Sequence, residues 1–342
     1  MRPKILVSRA IFPNVIARLA EYFDVEANDG DEVWSGAQFE QRLSDKHGAL
    51  IFGEPVGAAA LARAPLLRAV SNMAVGYNNF DLEAFSRHGV VGTNTPDVVT
   101  ESTADFAWAL MMSAARRVAE SDRMVRTGAW QRWSYDLLLG QDLHGKTLGV
   151  LGMGRIGQAV ARRAAGFSMR VLYHNRSRAD QAIETRLNAA WVGKDDLLRM
   201  SDHLILVLPL TPESRHTIGA RELGLMKPTA TLTNIARGGI VDDAALVAAL
   251  AEGQIAGAGL DVFEGEPRLN SAFLRLDNVV LTPHNAPGSE ATRRAMANLA
   301  ADNLIAALGF GPHAFRPANA VNPEVLDRKP ASVAINSWPV PN

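Results

Sequence analysis

The sequence predicts an α/β protein built from two doubly wound parallel sheets. Short β-branched runs alternate with longer Ala-rich segments of helical period, as in parallel strands joined by crossover helices. The length of 342 residues exceeds that of a typical domain, roughly 100 to 200 residues, which favours two domains. A hydrophobic fraction of 47% provides enough apolar side chains for two cores.

Composition excludes several classes of site and partner. The chain has no cysteine, so disulfides, thiolate metal ligands and cysteine nucleophiles are ruled out. A formal charge of -1 gives no reason to expect nucleic acid or an anionic membrane as a partner. No apolar run approaches the ~20 residues of a membrane span and the N-terminus lacks a signal-peptide pattern, so we expect a cytoplasmic protein.

The predicted elements fall into two groups. Strands of the first group are predicted at residues 4–8, 48–52, 67–73 and 90–94. One long helix is predicted next, with Thr100 as N-cap and Gly128 as terminator. Strands of the second group are predicted at residues 147–152, 170–175, 203–209, 230–236, 257–263 and 278–284, with a weaker candidate at 188–192.

A last helix is predicted from Ser289 to Gly309, before a Pro- and Asn-rich tail. The simplest arrangement returns this helix to the first domain. The first domain then comprises residues 1–98 and 288–342, and the second, residues 99–287, is inserted into it.

A glycine pattern opens the second group of strands. Gly152, Gly154 and Gly157 have the G-x-G-x-x-G spacing, and they lie between a predicted strand and a predicted helix. The first glycine permits a tight turn, the second lets the backbone approach a pyrophosphate, and the third allows close helix packing. The pattern predicts a Rossmann dinucleotide-binding domain, with Arg155 and Ile156 as further cofactor-binding residues. A glycine-rich turn in some other α/β protein is the alternative.

The next strand ends without the acidic residue that usually binds the ribose diol of NAD. Its place is taken by Asn175, Arg176 and Ser177, followed by Arg178, which is expected to add positive potential. An asparagine removes the repulsion of a 2′-phosphate, and arginine can bind that phosphate with two hydrogen bonds. The loop therefore predicts NADPH as the preferred cofactor, with weaker use of NADH. A solvated basic loop that accepts either cofactor is the alternative.

Three polar side chains follow the last three predicted strands. Arg237, Glu266 and His284 each lie just past a strand, and the carboxyl ends of parallel strands share one edge of a sheet. An arginine can bind a substrate carboxylate, a histidine can exchange a proton with a carbonyl oxygen, and a carboxylate can stabilise the imidazolium. Each residue alone also fits a structural role. Together they predict a catalytic site.

These segments resemble the motifs of the D-isomer-specific 2-hydroxyacid dehydrogenases. The resemblance rests on "LGMGRIG", "NIARGGIVDDAALVAAL", "GAGLDVFEGEP" and "NVVLTPH", with "AVGYNNFDLEA" and "NTPDVVTESTADFAWALM" in the first half. It covers residues 70–310 and is strongest for glyoxylate/hydroxypyruvate reductases and 2-ketogluconate reductases. It implies a Rossmann cofactor domain inserted in a flavodoxin-like substrate domain.

The resemblance also implies roles for individual residues. Arg237, Glu266 and His284 match the family's catalytic residues, and the amides of Val75 and Gly76 match a loop that binds the substrate carboxylate. Asp261 matches a residue that holds the nicotinamide carboxamide. Further cofactor contacts are expected at Thr103, Leu208, Pro209, Ile235, Ala236 and Ala286.

The expected reaction is reduction of a small 2-keto acid to a D-2-hydroxy acid, with glyoxylate, hydroxypyruvate or 2-ketogluconate as substrate. The region from Thr103 to Met124 and the loop after Trp130 resemble the family's two-fold interface, which implies a homodimer. No metal is expected, because the other histidines lack metal-ligand spacing with acidic residues.

One segment departs from the family, and two alternatives stay open. The family usually reads Ile-Gly-Ser after the catalytic histidine, whereas this chain has Asn285, Ala286 and Pro287. The departure concerns substrate preference more than the chemistry. A formate- or phosphite-type dehydrogenase would share the fold, although the formate enzymes carry Gln where Glu266 stands. A non-catalytic NAD(P) sensor of the corepressor type could keep all three side chains.

Overall fold

The computed structural model describes residues 2–327, and the end of the predicted tail lies outside them. The chain divides into two compact units. Unit 1 comprises residues 2–99 and 289–327, and unit 2 comprises residues 100–288.

Unit 1 contains a five-stranded parallel sheet. Its strands are β1 (Lys4–Val7), β2 (Asp24–Ala27), β3 (Gly48–Ile51), β4 (Ala69–Asn72) and β5 (Val91–Thr93). Their order is β2-β1-β3-β4-β5, which is the doubly wound order of flavodoxin-like domains. Strand β2 was not predicted, because its sequence DVEA lies at a sheet edge, partly exposed, and lacks an apolar run.

Four helices connect these strands or flank them. They are α1 (Pro13–Tyr22), α2 (Gly36–Leu43), α3 (Ala58–Arg63) and α4 (Leu82–His88).

Unit 2 contains a seven-stranded parallel sheet. Its strands are β6 (Thr147–Leu151), β7 (Arg170–His174), β8 (Ala189–Trp191), β9 (His203–Leu206), β10 (Thr231–Asn234), β11 (Gly257–Leu260) and β12 (Val279–Leu281). The order β12-β11-β10-β9-β6-β7-β8 reverses direction between β6 and β9, where doubly wound sheets bind their ligands.

The helices of unit 2 cover this sheet. They are α5 (Thr100–Ala115), α6 (Val118–Arg126), α7 (Arg155–Arg163), α8 (Gln181–Leu187), α9 (Lys194–Met200), α10 (Ala220–Leu223) and α11 (Asp243–Ala251). None of the helices in residues 2–327 is long and apolar enough to cross a membrane.

The prediction of one long helix after Thr100 was wrong in two details. Thr100 is the first helical residue rather than the cap, and the helix is interrupted between Ala115 and Val118. Arg117 has a φ of 53°, in the left-handed region, and its guanidinium pairs with Glu120 at 2.8 Å. The chain therefore restarts as α6, which gives way to Gly128 at a φ of 70°.

The last helix, α12 (Glu290–Ala307), belongs to unit 1. Ser289 caps it by accepting a hydrogen bond from the amide of Thr292. Leu304 and Leu308 pack over Gly48 of β3, where an added Cβ would lie only 2.8 Å from Leu308. The fold class, two doubly wound α/β domains with the second inserted in the first, is confirmed.

Candidate active site

The candidate site residues of unit 2 lie at one edge of its sheet. The glycine turn follows β6, Asn175 follows β7, Arg237 follows β10, and His284 follows β12. All seven strands are parallel, so these segments leave the sheet at the same carboxyl edge.

The glycine turn has the geometry that a dinucleotide requires. Gly152 has a φ of 108°, and a Cβ there would lie 2.2 Å from the carbonyl oxygen of Val207. A Cβ at Gly157 would lie 2.0 Å from the carbonyl oxygen of Gly152, so the helix packs directly on the turn. Gly154 has no atom within 4 Å of its Cβ position, and no side chain caps α7. Backbone can thus approach a pyrophosphate here, and the amides of the first turn favour its negative charge.

The loop after β7 exposes the residues predicted to bind a 2′-phosphate. Arg176 and Ser177 are exposed, whereas Asn175 is half-buried. The Asn175 side-chain oxygen accepts a hydrogen bond from the amide of Met153, 2.7 Å away, which ties this loop to the glycine turn. Arg178, predicted to add free positive potential, instead forms an ion pair with Glu184 at 2.7 Å.

The remaining predicted cofactor residues of unit 2 differ in exposure. Arg155 and Pro209 are exposed, and Ile156 and Leu208 are half-buried. The others are buried, namely Thr103, Ile235, Ala236, Asp261 and Ala286. Their contacts with a cofactor stay predictions.

Glu266 and His284 form a direct pair. The Nδ1 atom of His284 lies 2.7 Å from Oε2 of Glu266, and Oε1 of Glu266 accepts a hydrogen bond from the amide of Phe263 at 2.7 Å. Burial alone would raise the pKa of Glu266, but the bonds from His284 and Phe263 outweigh burial and lower it. The carboxylate therefore stays ionised and fixes the ring through Nδ1, which leaves Nε2 for proton exchange.

The turn after β10 holds Arg237. Burial lowers the pKa of its guanidinium, and the negative charge of Glu266 opposes that effect. The guanidinium donates a hydrogen bond to the carbonyl oxygen of Ala236 at 2.7 Å. Asn234 braces the turn, because its side chain accepts from the amide of Ala236 and donates to the carbonyl of Arg237. An arginine, a carboxylate and an imidazole thus occupy one electrostatic environment.

Asp261 supports the histidine in a way that sequence reasoning missed. Its carboxylate is fully buried and accepts hydrogen bonds from the hydroxyl of Thr282 and the amides of Asn285 and Ala286, at 2.7 to 2.8 Å. His284 lies between these donors with a φ of 51°, an uncommon conformation for a residue other than glycine. Three of the carboxylate's roughly four acceptor positions are used by the chain itself, so contact with a nicotinamide carboxamide stays a prediction.

The predicted carboxylate-binding loop lies in unit 1, after β4. The carbonyls of Val75 and Gly76 accept hydrogen bonds from the side chains of Asn94 and Asn72. Within residues 2–327, neither the Val75 nor the Gly76 amide donates a hydrogen bond. The loop is thus fixed through its carbonyls while two adjacent amides can bind an anion.

Among residues 2–327, no group of three His, Cys, Asp or Glu side chains is placed to hold a metal ion.

Comparison with known proteins places the chain in a family. The model for the D-isomer specific 2-hydroxyacid dehydrogenase NAD binding domain matches residues 108–286. The chain belongs to the D-isomer-specific 2-hydroxyacid dehydrogenase family. The predicted resemblance and the prediction of an NAD(P)-dependent oxidoreductase are therefore confirmed.

Similar members of this family align over nearly the whole chain. A glyoxylate reductase of Thermococcus gammatolerans is 48% identical, with 90% of this chain and 93% of the relative covered. A glyoxylate reductase of Thermococcus onnurineus is 46% identical, with 96% and 99% covered. Among solved structures, an NADPH-dependent glyoxylate/hydroxypyruvate reductase of Sinorhizobium meliloti, in complex with NADP and malonate, has a TM-score of 0.83 and 35% identity over 94% of this chain and 98% of that one.

Proposed function

We propose that the protein reduces small 2-keto acids to D-2-hydroxy acids with NADPH. The observation that carries the proposal is the 2.7 Å bond between His284 and Glu266, at the sheet edge that also carries Arg237 and the glycine turn. The names of the similar proteins support glyoxylate and hydroxypyruvate as substrates. The resemblance to 2-ketogluconate reductases adds 2-ketogluconate as a third candidate substrate.

The side chains divide the work between binding and proton transfer. When bound, the reduced nicotinamide supplies a hydride to the keto carbon. His284 donates a proton from Nε2 to the keto oxygen, so that hydride and proton together give the alcohol. Arg237 binds the substrate carboxylate and polarises the neighbouring carbonyl. Glu266 stabilises the charged imidazole before the proton leaves.

The NADPH preference is supported by the loop after β7. Arg176 is exposed there, and Asn175 stands where a carboxylate would repel a 2′-phosphate. We expect Arg176→Ala to raise KM for NADPH by about 10- to 100-fold, because a charge-assisted bond to phosphate is lost. KM for NADH should change less than threefold by the same reasoning. Equal changes for both cofactors would refute the assignment.

Turnover with keto acids separates an enzyme from a sensor. We expect sustained loss of NADPH absorbance with at least one of glyoxylate, hydroxypyruvate and 2-ketogluconate. The keto acid with the highest kcat/KM is the substrate that best fits the pocket. Cofactor binding without turnover on any of them would favour a non-catalytic sensor. Activity with formate or phosphite in place of the keto acids would indicate a formate- or phosphite-type dehydrogenase.

We also propose a homodimer that forms through unit 2. The segment from α6 to residue 139 exposes large apolar side chains, including Trp133 at 87% and Leu139 at 66%. Large exposed apolar side chains concentrated in one segment are typical of a protein interface. Light scattering should give a dimer for the wild type and for Leu274→Glu, a control residue that is 67% exposed elsewhere in unit 2. The double variant Trp133→Glu, Leu139→Glu should be monomeric, and a monomeric wild type would overturn this proposal.

A further inference from the structure

A buried tyrosine and a buried glutamate lie behind the loop that contains Arg176. Tyr173 of β7 is fully buried, and Glu184 of α8 is 5% exposed. The Tyr173 hydroxyl donates a hydrogen bond to Oε1 of Glu184 at 2.7 Å, and it accepts one from the amide of Ala179 at 2.9 Å. One phenol group thus joins the strand, the helix and the end of the loop.

Arg178 completes the cluster from the loop side. Its Nε and Nη2 atoms bind the two carboxylate oxygens of Glu184, at 2.8 and 2.7 Å. These bonds, with the bond from Tyr173, lower the pKa of Glu184 to about 2. The carboxylate therefore stays ionised at any physiological pH, and the guanidinium of Arg178 stays committed to it. A planar bidentate pair also fixes geometry in a way that a lysine could not.

The other end of the loop is fixed as well. Asn175 accepts a hydrogen bond from Met153 of the glycine turn through its side chain, and its carbonyl accepts one from the indole of Trp191 at 3.2 Å. Arg176 and Ser177 lie between the two fixed ends, and both are exposed. The short loop therefore presents these two side chains from a backbone held on both sides.

We propose that Tyr173, Glu184 and Arg178 are positioning residues for a 2′-phosphate, holding the loop so that Arg176 and Ser177 meet the phosphate without prior ordering. A preformed loop increases affinity because less conformational entropy is lost on binding. The inference rests on the proposed NADPH preference. It assigns Arg178 to the support of the loop rather than to the phosphate.

Two nucleotide fragments test this idea without turnover. Calorimetry with 2′,5′-ADP and 5′-AMP isolates the contribution of the 2′-phosphate, and we expect the wild type to bind 2′,5′-ADP more tightly. Tyr173→Phe removes the hydroxyl without changing any charge. It should weaken the binding of 2′,5′-ADP by roughly 5- to 30-fold, the range for one lost buried hydrogen bond. The binding of 5′-AMP should weaken by about twofold or less.

Glu184→Gln adds a test whose sign is diagnostic. If Arg178 supports the loop, this variant should weaken 2′,5′-ADP as Tyr173→Phe does. If Arg178 is a phosphate ligand that Glu184 restrains, the variant should release Arg178 and bind 2′,5′-ADP more tightly. That result would overturn the inference. Glu252→Gln is the matched control, because it removes an exposed negative charge elsewhere in unit 2 without touching this cluster.

The outcomes separate this inference from the proposal on which it rests. Equal affinity of the wild type for both fragments would refute the NADPH preference. Selectivity in the wild type that survives in both variants would refute the positioning role alone. Thermal melting of each variant checks that unit 2 is folded. Loss of stability by itself does not alter the ratio of the two affinities, so the ratio reports positioning.

Discussion

The two halves of the carboxyl edge of unit 2 are built differently. At β6 and β7, the supports include a charged pair, Arg178 with Glu184, beside the neutral side chains of Tyr173 and Asn175. At β10 to β12, the supports are the buried side chains of Asn234 and Asp261, which bind backbone amides. The exposed cation Arg176 belongs to the first half, and the proton-exchanging His284 belongs to the second.

This difference follows from what each half has to do. Binding a phosphate needs a fixed positive charge in place, so neighbouring charges can be neutralised in pairs around it. Proton transfer needs a group whose charge changes, and the paired carboxylate of Glu266 stabilises the charged form of the imidazole. Backbone amides, which carry no net charge, bind Asp261 and fix the histidine loop.

The largest effect is expected for His284→Ala. Loss of the proton donor should lower kcat by about 10²- to 10⁴-fold, the usual contribution of general acid catalysis. The dissociation constant for NADPH should stay within about twofold, because the phosphate-binding half is unaltered. Steady-state kinetics and fluorescence titration measure both quantities. His144→Ala, an exposed histidine before β6, is the control, and a variant at position 284 as active as this control would contradict the assignment.

Arg237→Lys should be the next most harmful change. A lysine keeps the charge but cannot bind a carboxylate through a planar fork, so kcat/KM for the keto acid should fall by roughly 10- to 100-fold. The conservative control is Arg268→Lys at an exposed position of the loop that carries Glu266. Similar kinetics for the two lysine variants would argue against a carboxylate contact at residue 237.

Asp261→Asn tests the support of the histidine loop. An asparagine presents an NH₂ group to at least one of three hydrogen-bond donors, so kcat should fall by about tenfold through misplacement of His284. The dissociation constant for 2′,5′-ADP should not change, since that ligand reports on the other half. Asp277→Asn, at an exposed aspartate before β12, provides the comparison. Equal loss of 2′,5′-ADP affinity would mean that the two halves are not independent.

The buried carboxylate of Asp243 predicts a smaller, pH-dependent effect on stability. Asp243 accepts a hydrogen bond from the amide of Glu264, and burial raises its pKa to about 6, with Glu264, Asp242 and His216 as its charged or titratable neighbours. The folded state thus holds this proton more tightly than the unfolded chain. The free energy of unfolding should therefore fall as pH rises from about 4 to about 6 and then level off.

Asp243→Asn should remove that dependence. Between about pH 4 and pH 7, we expect the wild type to lose roughly 1 to 3 kcal/mol relative to the variant, as measured by denaturant unfolding at each pH. Glu252→Gln, at an exposed position just after α11, should follow the wild type. If the free energy of unfolding depended on pH in the same way for the wild type and Asp243→Asn, the contribution of Asp243 to that dependence would be refuted.

Much of the fold could be predicted, because buried parallel strands are short apolar runs that stand out between helical segments. Strand β2 and the break at Arg117 could not, since an exposed edge strand has no such run and a left-handed arginine has no local signal. The meeting of Arg237, Glu266 and His284 at one edge follows from parallel topology alone.

The supports of the site were beyond sequence reasoning. Glu184 has the sequence context of an ordinary surface glutamate on a short helix, and only the fold places it under Tyr173 and Arg178. Asp261 could be recognised as polar at a strand end, but not as the acceptor of two amides further along the chain. Sequence patterns place backbones at an edge, whereas these contacts depend on side-chain direction.

Isotope transfer tests the proposed reaction most directly. With hydroxypyruvate and NADPH that carries deuterium in the transferable C4 position, we expect D-glycerate with one deuterium at C2. Chiral chromatography and mass spectrometry measure the configuration and the label in one sample. An L or racemic product, or a product without deuterium at C2, would contradict the proposed reaction.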